Sequence, residues 1–417
     1  MARSTIVAID WISVILFLLL VGFGWGNIYS ASYGDEAFSI TDFSQPYIKQ
    51  LYWIALSITI IIITMAIETK FYERFAGLIF IISLISLLGL FVFGKNVNGA
   101  TSWYAFGPVG LQPSEFAKAA TALALAKFLS DMQTNIKLTN HQLRAFLIIA
   151  LPALIIIPQP DPGSALVYTA FFFPLYREGL AAMYLIIGAA ASVLFILTLL
   201  FTPLWVVLFI AILIALVLLK NRKHKPRYSR YILVLIIITG FCFSVNYIFN
   251  NVFEQRHRDR FNIVLGKEVD TKGIGYNTNQ SEIAIGSGSW TGKGWKEGTQ
   301  TKGGFVPEQH TDYIFSTVGE EWGFMGASII ILLFVGLLIR LLYLAERQKS
   351  QFSRVYGYSV VGILFIHFAV NVGMVTGLLP TVGIPLPFFS YGGSGLWGFT
   401  LLLFIFIKLD SNRVNEW

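Results

Sequence analysis

Residues 192–219 read SVLFILTLLFTPLWVVLFIAILIALVLL, a run that contains no charged side chain. Roughly 20 consecutive apolar residues are enough to cross the hydrocarbon core of a bilayer as an α-helix. The whole chain shares this character, since 55% of its 417 residues are hydrophobic and only 13% are charged, against about 25% charged residues in soluble domains. The sequence therefore excludes a soluble globular protein and predicts an all-α polytopic membrane protein.

Apolar runs of this length recur along the chain. They lie at 8–29, 50–67, 76–94, 192–219, 231–250, 322–344, 355–379 and 386–408. Residues 114–130 are less apolar and carry Glu115 and Lys118. Because charged side chains are costly in lipid, we predict that this segment is a helix packed inside a bundle of other helices.

Two longer runs each predict a pair of helices. Residues 146–176 are too long for one crossing and are interrupted by the proline-rich stretch 158–163, while residues 179–219 have a turn at Thr202-Pro203. With these pairs the sequence predicts about twelve transmembrane helices. We expect them to form a single integral membrane domain over residues 1–417.

Lysine and arginine gather on alternate predicted loops, which identifies those loops as cytoplasmic. Arg144, Arg177 and the basic cluster 220–230 lie on this side, so both termini are expected in the cytoplasm. The formal charge of +7 follows from this bias, and nucleic-acid binding is not expected. The first span precedes many others and is expected to stay as an anchor. The single cysteine, Cys242, excludes a disulfide framework, an iron–sulfur site and a multi-cysteine zinc site.

The predicted outer loop 251–311 concentrates chemistry-bearing residues. It is rich in Gly, Thr, Lys and Gln and contains Arg256, Arg258, Arg260 and, further on, Asp270. Basic side chains beside glycines suit phosphate or pyrophosphate, and a carboxylate among them can accept a proton from a hydroxyl nucleophile. The alternative interpretation is a solvated loop with ordinary surface charges.

Other polar residues are candidates because they interrupt apolar segments. Glu115 and Lys118 lie three apart on one helix face and can form an ion pair. Asp161 lies at the break of a helical pair, where either a site or a packing role is consistent with the sequence.

Two groupings that contain a histidine have competing interpretations. His310, with Glu308 and Asp312, could ligate a divalent cation, but helix capping by Thr311 and Asp312 is favoured. His367 and Asn371 are four apart, and a satisfied polar pair between helices is the favoured interpretation.

Several motifs, in this order, resemble signatures of the SEDS family (shape, elongation, division and sporulation), most closely those of its RodA, or elongation, branch. They are Gly99-Ala100, Trp103, Gln112-Pro113-Ser114-Glu115 with Lys118, Gln159-Pro160-Asp161, Gln280-Ser281, His310-Thr311-Asp312, Glu320-Glu321 and Ser390-Tyr391-Gly392-Gly393. The segments 298–308 and 382–387 resemble the elongation branch more than the division branch, FtsW.

The resemblance implies a peptidoglycan glycosyltransferase that polymerises lipid II, an undecaprenyl-pyrophosphate-linked disaccharide-pentapeptide, outside the cytoplasmic membrane of a bacterium during cell elongation. The family's essential carboxylate aligns with Asp270, although Thr271 stands where the family has proline. The family core has about ten spans, so residues 179–219 would be an extra helix pair. The segment 251–311 would be the extracytoplasmic catalytic loop.

The implied reaction assigns roles to the candidate residues. Conversion of an α-linked sugar into a β-1,4 glycan requires inversion, with Asp270 as general base and an arginine of the 256–260 cluster on the leaving pyrophosphate. The remaining substrate-binding candidates are Glu115, Lys118, Asp161, Gln280, Ser281, His310 and Ser390. No metal ligands are assigned, and a divalent cation, Mg²⁺ or Mn²⁺, stays open as a cofactor.

The same resemblance implies a partner, and the sequence leaves alternative functions open. Family members work with a class B penicillin-binding protein, a transpeptidase, within the elongation machinery, and this chain has no soluble domain that could cross-link peptides. A lipid II flippase or carrier is the rival function, since it also needs many spans and intramembrane charges. The division paralogue FtsW and a non-catalytic membrane scaffold are the further alternatives.

Overall fold

A computed structural model describes residues 9–32, 43, 45–97, 99–107, 109–220, 227–253, 255–267 and 275–413. They belong to two compact units, one within Met1–Leu180 and Asn277–Trp417 and a smaller one within Ala181–Tyr276. Helices dominate both units, so the predicted all-α polytopic fold is confirmed.

The helices are numbered in chain order. They are α1 (Trp11–Ser32), α2 (Pro46–Ala66), α3 (Thr69–Phe93), α4 (Pro113–Ser130), α5 (Thr139–Ile156), α6 (Pro162–Val167), α7 (Phe172–Arg177), α8 (Met183–Leu200), α9 (Pro203–Lys220), α10 (Tyr228–Asn251), α11 (Gln255–Val264), α12 (Tyr276–Ser287), α13 (Thr299–Lys302), α14 (Ile314–Glu346), α15 (Gln351–Val375) and α16 (Gly393–Asn412). A 3₁₀ turn, Tyr168–Phe171, joins α6 to α7.

Ten of the described helices are long and apolar enough to cross a membrane, namely α1, α2, α3, α5, α8, α9, α10, α14, α15 and α16. The sequence-based count of about twelve also includes α4 and the segment 162–177. α4 carries Glu115 and Lys118 and many alanines, which lower its hydropathy. The segment 162–177 is divided into two six-residue helices around the 3₁₀ turn, so neither piece reaches the length of a span.

α4 lies at the centre of the larger unit. It contacts α3, α5, α15 and α16, and most of its side chains are buried, including those of Glu115 and Lys118. Its alanines allow neighbouring helices to approach closely, as small residues do in membrane bundles. The prediction of a helix packed inside the bundle is confirmed.

A three-stranded antiparallel sheet connects α3 to α4, and the sequence analysis did not predict it. The strands are β1 (Lys95–Val97), β2 (Ala100–Phe106) and β3 (Val109–Leu111), in the order β1-β2-β3. Lys95 pairs with Trp103 across the first two strands, and Tyr104 pairs with Leu111 across the last two. The turns contain Gly99 and Gly107, whose positive φ values of 87° and 63° suit glycine.

α14 is broken at Gly323, where φ is 62° and ψ is −160°. The break frees backbone groups that the segment 288–294 satisfies: the amides of Phe324 and Met325 donate to the carbonyls of Ser289 and Trp290. In the other direction the amides of Lys293 and Gly294 donate to the carbonyls of Glu320 and Glu321. The segment 288–294 is therefore attached to α14 by its backbone.

The smaller unit is built from α8, α9, α10 and α11. Its core contains the buried Leu199, Val245 and Phe249, with the half-buried Phe195 and Phe261 packed against them. α8 and α9 leave most of their apolar side chains exposed, which is the pattern expected of helices that face lipid.

Candidate active site

An ion pair lies inside the larger unit on α4. Lys118 Nζ is 2.8 Å from both carboxylate oxygens of Glu115, and the two side chains are 1% and 3% exposed. The same Nζ lies 2.8 Å from Nε2 of His367 on α15 and 4.9 Å from the centre of the Phe399 ring. The predicted pairing of Glu115 with Lys118 is present, and His367 is a partner that sequence spacing alone did not assign.

The hydrogen-bond pattern fixes the state of His367. An ammonium group can only donate, so Nε2 of His367 accepts from Lys118 and Nδ1 carries the ring hydrogen. That nitrogen faces the carbonyl of Pro385 at 3.3 Å. His367 therefore links α4 to the segment between α15 and α16, residues 376–392, which we call the α15–α16 loop.

Asn371 also binds this loop and does not pair with His367, contrary to the sequence-based interpretation. Its Nδ2 donates to the carbonyl of Ile384 at 2.7 Å and to that of Asp312 at 2.8 Å. The two polar side chains share a helix face, but the backbone of the α15–α16 loop offers each of them a carbonyl. Both residues act as fixation points for this loop.

Asp161 caps α6 and connects it to α4. Its carboxylate accepts from the amide of Ser164 at 3.0 Å, from the Ser164 hydroxyl at 2.8 Å and from Nε2 of Gln112 at 3.0 Å. A Cβ at Gly163 would lie 2.6 Å from the carbonyl of Val382, so glycine is needed where α6 meets the α15–α16 loop. These contacts give Asp161 a packing role, one of the two roles left open by the sequence.

The two candidates on α12 differ in their partners. Ser281 is fully buried and its hydroxyl donates to the carbonyl of Val375 at 2.8 Å, at the end of α15. Gln280 is half-buried beside it. One turn earlier, the hydroxyls of Thr278, Tyr313 and Thr381 lie within 3.0–3.3 Å of one another. α12 is thus held against the α15–α16 loop.

His310 and Ser390 make separate contacts at the other end of the α15–α16 loop. The ring of His310 lies 5.4 Å from that of Tyr391, whose amide donates to the His310 carbonyl at 2.9 Å. Burial lowers the pKa of His310, although the nearby Glu308 carboxylate acts in the opposite direction. The Ser390 hydroxyl accepts from the amide of Leu386 at 2.9 Å and so shapes the loop internally.

Neither sequence interpretation of the His310 segment describes its contacts. Within the described residues no group of three or more His, Cys, Asp or Glu side chains could hold a metal ion. The capping prediction is wrong, because α14 begins after Tyr313 without a side-chain cap. The Thr311 hydroxyl instead donates to Glu308, at 2.9 Å from its carboxylate.

The catalytic candidate and its arginines belong to the 251–276 region. Asp270 and the side chain of Arg256 lie outside the described residues. Arg258 donates to the Asn250 carbonyl at 2.9 Å and to Oε1 of Gln255 at 2.7 Å, and Arg260 lies on α11. These arginines are part of the smaller unit, whereas Glu115, Lys118 and Asp161 are part of the larger one.

Glu320 is a functional-looking carboxylate to which the sequence analysis assigned no role. It is 0% exposed and accepts from the amides of Gln300 and Thr301 at 2.8 and 2.9 Å, at the start of α13. Lys293 Nζ lies 2.8 Å from it. A negative charge at a helix N-terminus is favourable, so Glu320 fixes the segment 293–301 on α14. The sequence signal for this role was the pair Glu320-Glu321, which directly precedes the apolar run 322–344.

The family comparison decides what kind of protein carries this arrangement. The sequence model of the family FTSW_RODA_SPOVE, described as "Cell cycle protein", matches residues 10–218 and 205–415. The chain belongs to this family. The resemblance to the SEDS family drawn from the motifs is thereby confirmed.

Individual relatives of this family member are named for one activity. The peptidoglycan glycosyltransferase MrdB of Escherichia coli K12 is 34% identical over 344 residues, 82% of this chain and 80% of that protein. The peptidoglycan glycosyltransferase RodA of Treponema pallidum is 31% identical and covers 97% of this chain and 98% of its own. A probable FtsW of Trichlorobacter lovleyi is 29% identical, over 93% and 89% of the two chains. These matches support a RodA-type protein over an FtsW-type one.

Solved structures share the fold of this family member. The rod shape determining protein RodA of Thermus thermophilus matches with a TM-score of 0.63 at 22% identity, over 97% of each chain. A chain from a peptidoglycan synthase complex matches with a TM-score of 0.70 at 24% identity, over 98% of this chain and 99% of that one. The arrangement of helices in this chain is therefore the fold that these structures share.

Proposed function

We propose that this protein is a RodA-type peptidoglycan glycosyltransferase that polymerises lipid II into glycan strands during cell elongation. The observation that carries the proposal is the 34% identity to MrdB over 82% of the chain. The proposal includes placement in the bacterial cytoplasmic membrane with both termini in the cytoplasm, which rests on the distribution of Lys and Arg among the loops.

The proposed chemistry is one inverting displacement. The 4-hydroxyl oxygen of the acceptor N-acetylglucosamine attacks the anomeric carbon of the donor, and the bond from that carbon to the pyrophosphate oxygen breaks. Asp270 accepts the hydroxyl proton, and undecaprenyl pyrophosphate leaves with the bonding electron pair. A positioned base of this kind contributes typically about 10²–10⁴-fold to the rate.

The contacts of the larger unit hold the α15–α16 loop and α13 in fixed positions. His367, Asn371 and Ser281 each bind backbone of the α15–α16 loop or the end of α15, and Glu320 fixes α13 on α14. Such fixation is what a reaction controlled by orientation requires, because reacting atoms must be held about 3–3.5 Å apart. Glu115 and Lys118 add a buried charge pair on α4 within the same unit.

The leaving pyrophosphate needs positive charge. Arg256, Arg258 and Arg260 supply it in this proposal, alone or with a divalent cation. Chelation separates these two cases: polymerisation that survives EDTA assigns the role to the arginines, and polymerisation that stops and returns with Mg²⁺ or Mn²⁺ assigns it to the cation.

A partner is also part of the proposal. One structural neighbour comes from a peptidoglycan synthase complex that couples polymerisation to crosslinking. We propose a class B penicillin-binding protein, a transpeptidase, as the partner that crosslinks the glycan strands, by analogy with that complex. The partner is expected to increase the rate of glycan synthesis in the purified system.

The deciding experiment is Asp270→Asn with purified lipid II. The variant keeps the shape of the side chain and loses the base, so glycan product should fall by about 10²–10⁴-fold. Glu297→Gln is the matched control, because it neutralises an exposed carboxylate of the same loop. An Asp270→Asn protein that inserts normally and polymerises at the wild-type rate would remove Asp270 from this role.

A further inference from the structure

Glu321 is a buried carboxylate without a counter-ion among the described residues. It follows Glu320 on α14 and is 1% exposed. Its Oε1 accepts a hydrogen bond from the Ser30 hydroxyl on α1, whereas its Oε2 is buried and has no hydrogen-bond partner. No ion pair of the part of the chain that the structure describes includes Glu321. Removing a carboxylate from water without a compensating charge is costly, so this position calls for a positive charge.

The neighbouring lysines do not neutralise Glu321. Lys293 is bound to Glu320, with its Nζ 2.8 Å from Oε1 of that residue. The ammonium group of Lys296 lies 4.1 Å from the centre of an aromatic ring, and its backbone amide faces the Glu321 carboxylate. Lys302 acts on Glu321 through its charge but forms no ion pair with it. The protein therefore supplies a direct counter-ion to the first carboxylate of the pair and none to the second.

The break in α14 adds a second negative contribution at this point. Gly323 interrupts the helix, so Glu321 lies in the last turn of the helical stretch 314–322. The C-terminal end of a helix carries a partial negative charge, which favours a cation and disfavours a carboxylate. Interrupted helices of membrane proteins use such ends, with the carbonyl groups beside them, to coordinate Na⁺. The helix end and the carboxylate thus attract a cation to the same place.

Two neutral oxygens without donors border the contact between α1 and α14. Asn27 is 1% exposed, and its Nδ2 donates to a carbonyl of α1 at 2.8 Å while its Oδ1 has no partner. Nε2 of Gln309 donates to the carbonyl of Ala31 at 2.7 Å, and its Oε1 is also buried without a partner. Residues three and four apart share a helix face, which places Asn27, Ser30 and Ala31 on one side of α1. A metal cation can bind several such oxygens at once, whereas a proton on Glu321 serves one.

We propose that Glu321 binds a monovalent metal cation, Na⁺ or K⁺, where α1 meets the break in α14. Oε2 of Glu321 supplies the charge, and Oδ1 of Asn27 and Oε1 of Gln309 supply neutral oxygens, the ligand type that hard cations take. The set contains one acidic side chain, so its charge is balanced by one monovalent ion. The bound ion joins α1 to α14 and to the segment that carries Gln309. The inference involves neither Asp270 nor the proposed glycosyltransferase reaction.

The test is thermal unfolding of the purified full-length protein in NaCl, KCl or N-methyl-D-glucamine chloride at equal ionic strength. A ligand that binds only the folded state stabilises it in a saturable manner. The melting temperature of the wild type should therefore rise by about 1–3 °C as the preferred metal chloride replaces N-methyl-D-glucamine chloride, and then level off. Binding of radioactive ²²Na⁺, or of ⁸⁶Rb⁺ in place of K⁺, should saturate at about one ion per chain.

Three variants connect this effect to the site. Glu321→Gln keeps the shape of the side chain and removes its charge, so the cation-dependent rise should be lost. Glu297→Gln is the matched control, because it neutralises an exposed carboxylate nearby in the chain and should keep the full rise. Asn27→Leu keeps the carboxylate and removes one neutral ligand, so the half-saturating cation concentration should increase about three- to tenfold. This last variant tests the site even if Glu321→Gln does not fold.

The outcomes separate cation binding from its alternatives. A saturable rise in NaCl or KCl that Glu321→Gln loses supports the inference, and the larger of the two rises identifies the preferred ion. Equal melting temperatures of the wild type in all three salts mean that Glu321 is neutralised by a proton, and they overturn the inference. An equal rise in wild type and Glu321→Gln is a general salt effect and overturns it as well. Lipid II polymerisation by the same wild-type sample is a separate readout, so either negative result leaves the proposed function standing.

Discussion

At the scale of single residues, Lys118 has the most demanding environment. It is 1% exposed, and its ammonium group contacts one carboxylate, one imidazole nitrogen and one aromatic ring face. Sequence spacing predicted the pairing with Glu115, since the two residues are three apart on a helix. It did not predict His367, because a contact between residues 249 positions apart has no local signal.

Lys118→Met should destabilise the protein strongly. The substitution leaves the Glu115 carboxylate buried without its counter-ion, a change that costs about 3–5 kcal/mol in the free energy of unfolding. The double variant Lys118→Met, Glu115→Gln removes both charges and should recover part of this loss. Apparent melting temperatures of the detergent-purified proteins provide the measurement. A double variant less stable than the single one would contradict the ion-pair interpretation.

His310 should make stability depend on pH. Burial lowers its pKa from the model-compound value of 6.5, so the unfolded chain binds the proton more readily than the folded protein does. Stability should therefore fall as pH decreases from about 6.5 toward the lowered folded pKa, and this contribution should be constant above that range. Melting temperatures of wild type and His310→Gln between pH 5 and 7.5 test this. An identical slope in both proteins would show that another group is responsible.

At the scale of elements, the break in α14 is the feature that composition could not indicate. The apolar run 322–344 predicted a helix, but α14 begins at Ile314. The buried Glu320 in this earlier part is bound by Lys293, Gln300 and Thr301, contacts that the local sequence does not show. The sheet β1–β3 was missed for a related reason: its strands are short, and their pairing depends on turns at Gly99 and Gly107. The membrane helices themselves were predictable, since length and hydropathy are local properties.

Gly323→Ala should destabilise the protein by more than about 1 kcal/mol. At φ of 62° and ψ of −160° the backbone is strained for any residue with a Cβ, and this atom would lie 2.3 Å from the amide nitrogen of Gly292. Gly336→Ala on the same helix is the control, because a Cβ there meets nothing within 4 Å. It should be neutral or stabilising by up to about 1 kcal/mol, as alanine is the better helix former. Equal melting temperatures for the two variants would contradict the strain argument.

At the scale of the whole molecule, the sequence predicted the family and the identity of most candidate residues, but not how they connect. The contacts of Lys118 with His367, of Asp161 with Gln112 and of Ser281 with Val375 are hydrogen bonds that only the three-dimensional arrangement reveals. Asp270 lies outside the described residues, and its catalytic role stays a prediction. The assignment of residues 179–219 as an extra helix pair and of 251–311 as the catalytic loop also stays a prediction.

The proposed orientation of the molecule in the membrane can be tested with reporters. Because basic residues concentrate on the loops assigned to the cytoplasm, green fluorescent protein fused after Trp417 should fluoresce, and alkaline phosphatase fused there should be inactive. Alkaline phosphatase inserted at Trp290, an exposed residue, should be active. Active phosphatase at the C-terminus would reverse the orientation and with it the placement of Asp270.

α4 and α9 differ in which substitutions the fold can accept. Ala117, Ala122 and Ala126 on α4 are 0% exposed, so almost any bulkier substitution there must displace a neighbouring helix. On α9 only Pro203 and Val206 are buried, and most positions need only remain apolar. In a library of neutral variants, we expect only small residues at these positions of α4. Along α9 we expect the whole range of aliphatic residues. The low sequence diversity along α4 in such a library would therefore be enough to identify it as the buried helix.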